Sequence, residues 1–179
     1  MVRIGLIGKK GSGKNTFANY FISKKKDFKQ IAFADPLKNG LIQMYGFSHD
    51  QLFGNKKEEV DEFWGVSPRK VMQFIGTDVF REIDPDFWVK RTIREMKSDV
   101  DYICTDVRFQ NEADCFDIIV KIARKEENVD LHISENSDLP CDIVVENTGT
   151  LSELYEKIDT LINIIDSPYF HGYSRKVSI

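Results

Sequence analysis

The sequence has no hydrophobic run near the roughly 20 residues that cross a bilayer, so a helical membrane span is excluded. Cysteine is scarce. Cys104, Cys115 and Cys141 form an odd set with no C-x-x-C pair, which argues against a disulfide framework and against a thiolate zinc site. Cys104 and Cys115 lie in apolar surroundings and read as buried thiols. There is no excess of basic charge. The formal net charge is −4, so general affinity for nucleic acid is not expected. The first residues lack a basic stretch followed by a long apolar core, the mark of a signal peptide. Repeats and low-complexity segments are absent. Together these absences predict a cytoplasmic protein with neither membrane nor nucleic acid as partner. Oligomeric state is not legible, and a homodimer is left open.

What the sequence does contain is a globular composition, with 41% hydrophobic and 30% charged residues in 179. That length predicts one domain, with at most a small lid. Short apolar runs alternate with helical patterns. Strands are expected at 2–7, 30–34, 100–104, 117–123 and 142–145. Ser67-Pro68 reads as a helix start, a cap followed by proline in the first turn. Val71, Phe74 and Ile75 would form the buried face of that helix, and Gly76 implies a close approach. Residues 48–65 read as mostly irregular, and 87–97 as another helix. The final helix is the clearest element. Leu151, Leu154, Tyr155, Ile158, Leu161, Ile162 and Ile165 make one stripe, with Thr150 and Glu153 as a capping box. The aromatic and basic tail, 167–179, has no evident place. Alternating strands and helices predict a five-stranded parallel sheet with helices on both faces. In such folds ligands bind beyond the carboxyl ends of the strands, where Gly8, Asp35, Asp106 and Arg124 would lie.

The stretch "GKKGSGKNT", Gly8 to Thr16, follows the first strand directly. Gly8, Gly11 and Gly13 allow the backbone to wrap with its N–H groups inward. Those donors, and the start of the next helix, suit anionic phosphates. Lys14 can reach the terminal phosphates as a point charge. The blander alternative is a glycine-rich turn, but spacing, lysine and context agree against it. The usual hydroxyl after the lysine is replaced by Asn15, with Thr16 next. An amide oxygen can also hold a hard cation, so the metal ligand is either residue.

The acceptor is harder to read. A phosphate monoester needs no general base but needs cations to offset its repulsion from the donor. A hydroxyl acceptor needs a nearby carboxylate. Lys38, Arg69, Arg81, Arg91, Arg94, Arg108 and Arg124 favour the first, while Asp35 and Asp106 keep the second open.

Several stretches resemble the deoxynucleoside monophosphate kinase family of bacteriophages and large DNA viruses: "GKKGSGKNT", "FADPLK" (33–38), "SPRKVMQFIGTDVFREIDPDFWVK" (67–90), "DVRFQNEAD" (106–114), "HISE" (132–135) and "NTGTLSELYEKI" (147–158). They occur in the same order over residues 1–165. Family members often carry Asp where this chain has Asn15, so a non-hydroxyl residue there is ordinary. The resemblance implies a P-loop nucleoside monophosphate kinase-like α/β fold. One domain would span 1–166, with an acceptor-binding region near 36–97 and a lid near 124–138. It implies transfer of the γ-phosphate of ATP to a deoxynucleoside 5′-monophosphate, with Mg2+ as cofactor, for viral DNA precursor supply. ATP would be held by Gly8, Gly11, Ser12, Gly13, Lys14, Asn15 and Thr16, and by Asn147 and Gly149 beside adenine. Lys38, Arg69, Gln73, Trp88 and Arg108 would bind the acceptor, Trp88 as a stacking face. Lys14, Arg108 and Arg124 would act in catalysis, Arg124 entering with the lid. Asn15, Thr16 and Asp106 would hold the metal, Asp106 through water. His132 and Glu135 would anchor the lid.

Two other readings compete. One is a P-loop kinase for a different small acceptor, such as dephospho-coenzyme A or phosphomevalonate, with Asp35 as base. The other is a nucleotide-binding module without turnover, for which Asn15 would be the warrant.

Overall fold

A computed structural model describes residues 1–124, 139–167 and 177–178. The chain forms two compact units, one of Met1–Ala32 with Met96–Ile179 and one of Phe33–Glu95.

The first unit is built on a parallel sheet. Its strands are β1 (Arg3–Ile7), β2 (Phe28–Ile31), β3 (Asp101–Cys104), β4 (Ile118–Ala123), β5 (Ile143–Glu146) and β6 (Val177–Ser178), in the order β2-β3-β1-β4-β5-β6. The first five are those expected. The sixth is a two-residue addition from the tail that the sequence left unplaced. β2 begins two residues earlier than expected. Phe28 faces the core, packing edge-on against Phe21 at 5.0 Å, and pairs with Asp101. That burial, more than the apolar look of residues 31–34, fixes where the strand starts.

Helices α1 (Lys14–Lys24) and α8 (Leu151–Ile165) cover one face of the sheet. Phe17, Phe21, Leu154, Ile158 and Leu161 meet Ile4, Leu6, Val120, Ile122 and Val145 in one buried cluster. Alternate strand residues point into it, as the two-residue period requires. The opposite face holds Cys104 and Ile119, also buried. Tyr20 and Tyr155 stack at 3.9 Å where the two helices meet. Thr150 caps α8 as expected, accepting from the Glu153 N–H while Glu153 accepts from Thr150. Leu151 does not join the stripe. It is 54% exposed.

The second unit is helical: α2 (Asp35–Tyr45), α3 (His49–Leu52), α4 (Pro68–Gln73), α5 (Phe80–Ile83) and α6 (Phe87–Ile93). Pro36 is accommodated in the first turn of α2, where its missing N–H costs nothing. Residues 48–65 are more ordered than expected. Ser48 and Gln51 box the start of α3, and Asp61 bridges to Val66. A π-helical stretch, Phe74–Val79, joins α4 to α5. The wider turn shifts the helical phase, so Phe74 is 59% exposed rather than buried. The close approach expected at Gly76 is real: a Cβ there would lie 2.9 Å from Leu37. Among the described residues no helix is long and apolar enough to cross a membrane.

Candidate active site

The loop between β1 and α1 is shaped by its glycines. Gly8 has φ 143° and Gly13 φ 103°, in the region that L side chains avoid. Space forbids a side chain as well. A Cβ on Gly8 would meet the Ile122 carbonyl oxygen at 2.5 Å, and one on Gly13 would meet the Asn147 amide nitrogen at 2.5 Å. Gly13 is also the N-cap of α1, whose first turn carries no acidic residue. The first N–H groups of that helix are therefore left for an anion rather than for a side-chain cap.

Three side chains hold the loop. Lys14 Nζ donates to the carbonyls of Gly8 and Lys9. The Asn147 side-chain amide donates to the Ser12 carbonyl at 2.8 Å, and Arg124 Nη1 to the Gly11 carbonyl at 3.2 Å. Strand register makes this convergence inevitable. β4 runs beside β1 and β5 beside β4, so Arg124 and Asn147 emerge next to the loop. The three, with Gly11–Gly13, Asn15, Thr16 and Gly149, line a cavity of about 440 Å³. Leu151 and Leu154 line it too. The sequence reading placed these leucines in a core stripe, and only their height on α8 marks them as cavity wall. Ser12 Oγ is buried with no hydrogen-bond partner among the described residues, a polar atom that a bound group could satisfy.

On the other side of β1, the register that pairs Gly5 with Cys104 brings Asp106 and Arg108 to the same edge of the sheet. Asp106 Oδ1 accepts from the Cys104 thiol at 3.3 Å. Burial, then the Asp106 carboxylate, pushes the Cys104 thiol well above its ordinary range. Cys104 is the buried thiol expected, whereas Cys115 is only half-buried. Glu112, on the short helix α7 (Gln110–Ala113), has no role assigned from sequence; it accepts from the backbone N–H of Arg108 at 2.7 Å and of Phe109 at 3.2 Å.

In the second unit, Lys38 pairs with Asp35 at 2.9 Å and lies over the Phe53 ring at 4.7 Å. Arg69 and Gln73 are one turn apart on α4. Trp88 departs from expectation. It is 6% exposed, its Nε1 donates to the Gly76 carbonyl at 2.7 Å, and Phe80 and Phe87 pack edge-on against it. It is a core tryptophan whose faces are enclosed, not an open stacking platform. His132, Glu135 and the expected lid beyond Arg124 lie outside the described residues.

The possible metal ligands are all oxygens: the Asn15 amide, the Thr16 hydroxyl and the Asp106 carboxylate. That set suits a hard cation. Among the described residues no cluster of three or more His, Cys, Asp or Glu gathers to hold a metal unaided.

A glycine loop gripping the start of a helix, at the carboxyl edge of a parallel sheet, defines an α/β fold of the P-loop nucleotide kinase type. TT1252 from Thermus thermophilus shares that fold, with a TM-score of 0.52 and 17% identity over 93% of this chain and 98% of that one. Residues 47–158 match the family described as deoxynucleotide monophosphate kinase, and the chain belongs to that family of phosphotransferases. A protein of Acanthamoeba polyphaga mimivirus, provisionally named deoxynucleotide monophosphate kinase, is 36% identical over 91% of this chain and 97% of its own length. The deoxynucleotide monophosphate kinase of Escherichia phage RB69 is 32% identical over 58% of this chain. That of Enterobacteria phage T4 is 30% identical over 59%. The alignments cover about half of each phage protein, 47% and 48%.

Proposed function

We propose that the protein transfers the γ-phosphate of ATP to a deoxynucleoside 5′-monophosphate, releasing the diphosphate and ADP. The observation that carries this reading is the loop Gly8–Thr16, shaped for phosphate, in a member of the deoxynucleotide monophosphate kinase family. An oxygen of the acceptor phosphate bonds to the γ-phosphorus, and the bond from that phosphorus to the β–γ bridging oxygen breaks. Both reacting groups are anionic, so the protein's task is positioning and neutralisation. Lys14 exchanges its two loop carbonyls for phosphate oxygens. Arg124 does the same from Gly11 and adds positive charge as the transferred group forms. Asn147 and Gly149 flank the nucleotide beyond the phosphates.

Mg2+ is the proposed cofactor. Asn15 and Thr16 would supply neutral oxygens and Asp106 a carboxylate through water, with the nucleotide's phosphates as the remaining ligands. When bound, the ion offsets charge on the β- and γ-phosphates.

Lys38, Arg69, Gln73 and Arg108 are the proposed acceptor ligands. The pairing of Asp35 with Lys38 speaks against Asp35 as the base of a hydroxyl-acceptor kinase. Trp88 is not among the ligands, because its faces are enclosed.

The test is ADP release with ATP and magnesium against dAMP, dCMP, dGMP, dTMP and the four matching ribonucleotides. Turnover with at least one deoxynucleotide is expected. Silence across the panel, from folded protein that binds ATP, would overturn the reading.

A further inference from the structure

Glu112 is a buried carboxylate without a role in the proposed phosphoryl transfer. It is 3% exposed. Burying a carboxylate is costly unless it is hydrogen-bonded. Here Oε2 takes two successive backbone N–H groups, those of Arg108 and Phe109. Such charge-assisted bonds are among the stronger ones available to a carboxylate.

What this carboxylate holds is the main chain at Arg108 and at Phe109, the N-cap of the short helix that follows. The segment after β3 leaves the sheet, and side chains help to fix it. Asp106 is tied back to Cys104 on one side of Arg108. Glu112 ties the Arg108 N–H itself from the other. A guanidinium on a long side chain grips a phosphate well only if its backbone stays put, since about 1 Å of misplacement can cost on the order of 100-fold.

We propose that Glu112 is a positioning residue, fixing the backbone at Arg108 so that its guanidinium meets the acceptor phosphate. The inference rests on the reading of Arg108 as an acceptor ligand.

Two near-isosteric variants separate reach from charge. Glu112→Asp keeps the charge but shortens the side chain by one methylene, so the carboxylate falls short of the two N–H groups. Glu112→Gln keeps the length and an accepting oxygen. Steady-state constants for both substrates, with melting curves to confirm folding, give the readout. Glu112→Asp is expected to raise the acceptor KM about tenfold with the ATP KM unchanged. Glu112→Gln restores most of that loss. In an Arg108→Ala background, Glu112→Asp adds less than about twofold, because the two act as a unit. The proposal is overturned if folded Glu112→Asp leaves the acceptor KM unchanged, raises both constants alike, or keeps its full effect without Arg108. If Arg108→Ala alone leaves the acceptor KM unmoved, the reading of Arg108 fails first and takes the proposal with it.

Discussion

The side-chain amide of Asn147 occupies the place where a methyl group on residue 13 would have to be, 2.5 Å from the position of that Cβ. The same amide donates to the Ser12 carbonyl at 2.8 Å. Residue 13 is thus held to glycine twice, by its positive φ and by Asn147. Gly13→Ala is expected to raise the KM for ATP at least about tenfold, since strain of 1–3 kcal/mol falls on the loop. Asn147→Ala should raise it severalfold by releasing Ser12. The double variant should recover only part of the Gly13→Ala loss, because the clash is relieved and the φ strain is not. Steady-state constants for the three variants check this.

Lys14 rests on loop carbonyls that lie where an anion would draw it away. Lys14→Met is expected to lower kcat by about 100- to 1000-fold, the scale for losing one transition-state donor. Melting temperature should change little. A large fall in melting temperature with near-normal turnover would make the lysine a structural clamp instead.

Trp88 gives a clean choice between core and contact. Trp88→Phe keeps a ring but removes the N–H, leaving the Gly76 carbonyl without that donor. Stability measured by urea unfolding should fall by about 1–3 kcal/mol, with the acceptor KM changed far less. A stacking role would give the reverse, a large rise in acceptor KM at unchanged stability.

Cys104 predicts an alkaline limb. Its folded thiol titrates above its unfolded value, so it is neutral in both states at neutral pH and adds no slope there. Above about pH 8.5, the ordinary thiol value, the unfolded chain ionises while the folded one does not. Stability should therefore fall as pH rises from there. Cys104→Ala, though less stable at pH 7 through its cavity, should lose less between pH 7 and 10. Denaturation midpoints across that range decide it.

The sheet, the glycine loop and the last helix were legible because their signals are local. A short apolar run, a spacing of glycines before a lysine, and Thr150 three residues ahead of Glu153 each carry their meaning within a few positions. Misreadings came where distant residues decide. The start of β2 depends on Phe28 meeting Phe21. The exposure of Phe74 depends on one widened turn, which no helical period anticipates. Trp88 reads as a stacking face from its place in the 67–90 motif, while its bond to Gly76 spans 12 residues and leaves no trace in sequence. Leu151 matched the apolar stripe of α8 yet lines the cavity, since the stripe's first turn overhangs the loop side. Glu112 stood inside a quoted motif without a role, because its partners are backbone N–H groups that sequence cannot show.

The most direct test of the account is the fate of a label on the γ-phosphate of ATP. The protein is incubated with γ-labelled ATP, magnesium and the deoxynucleoside monophosphate that best drives ADP release, and the products are separated. The account predicts the label in the β-position of the deoxynucleoside diphosphate, one equivalent for each ADP formed. Label appearing as free phosphate, or remaining in ATP while folded protein binds both nucleotides, would contradict it.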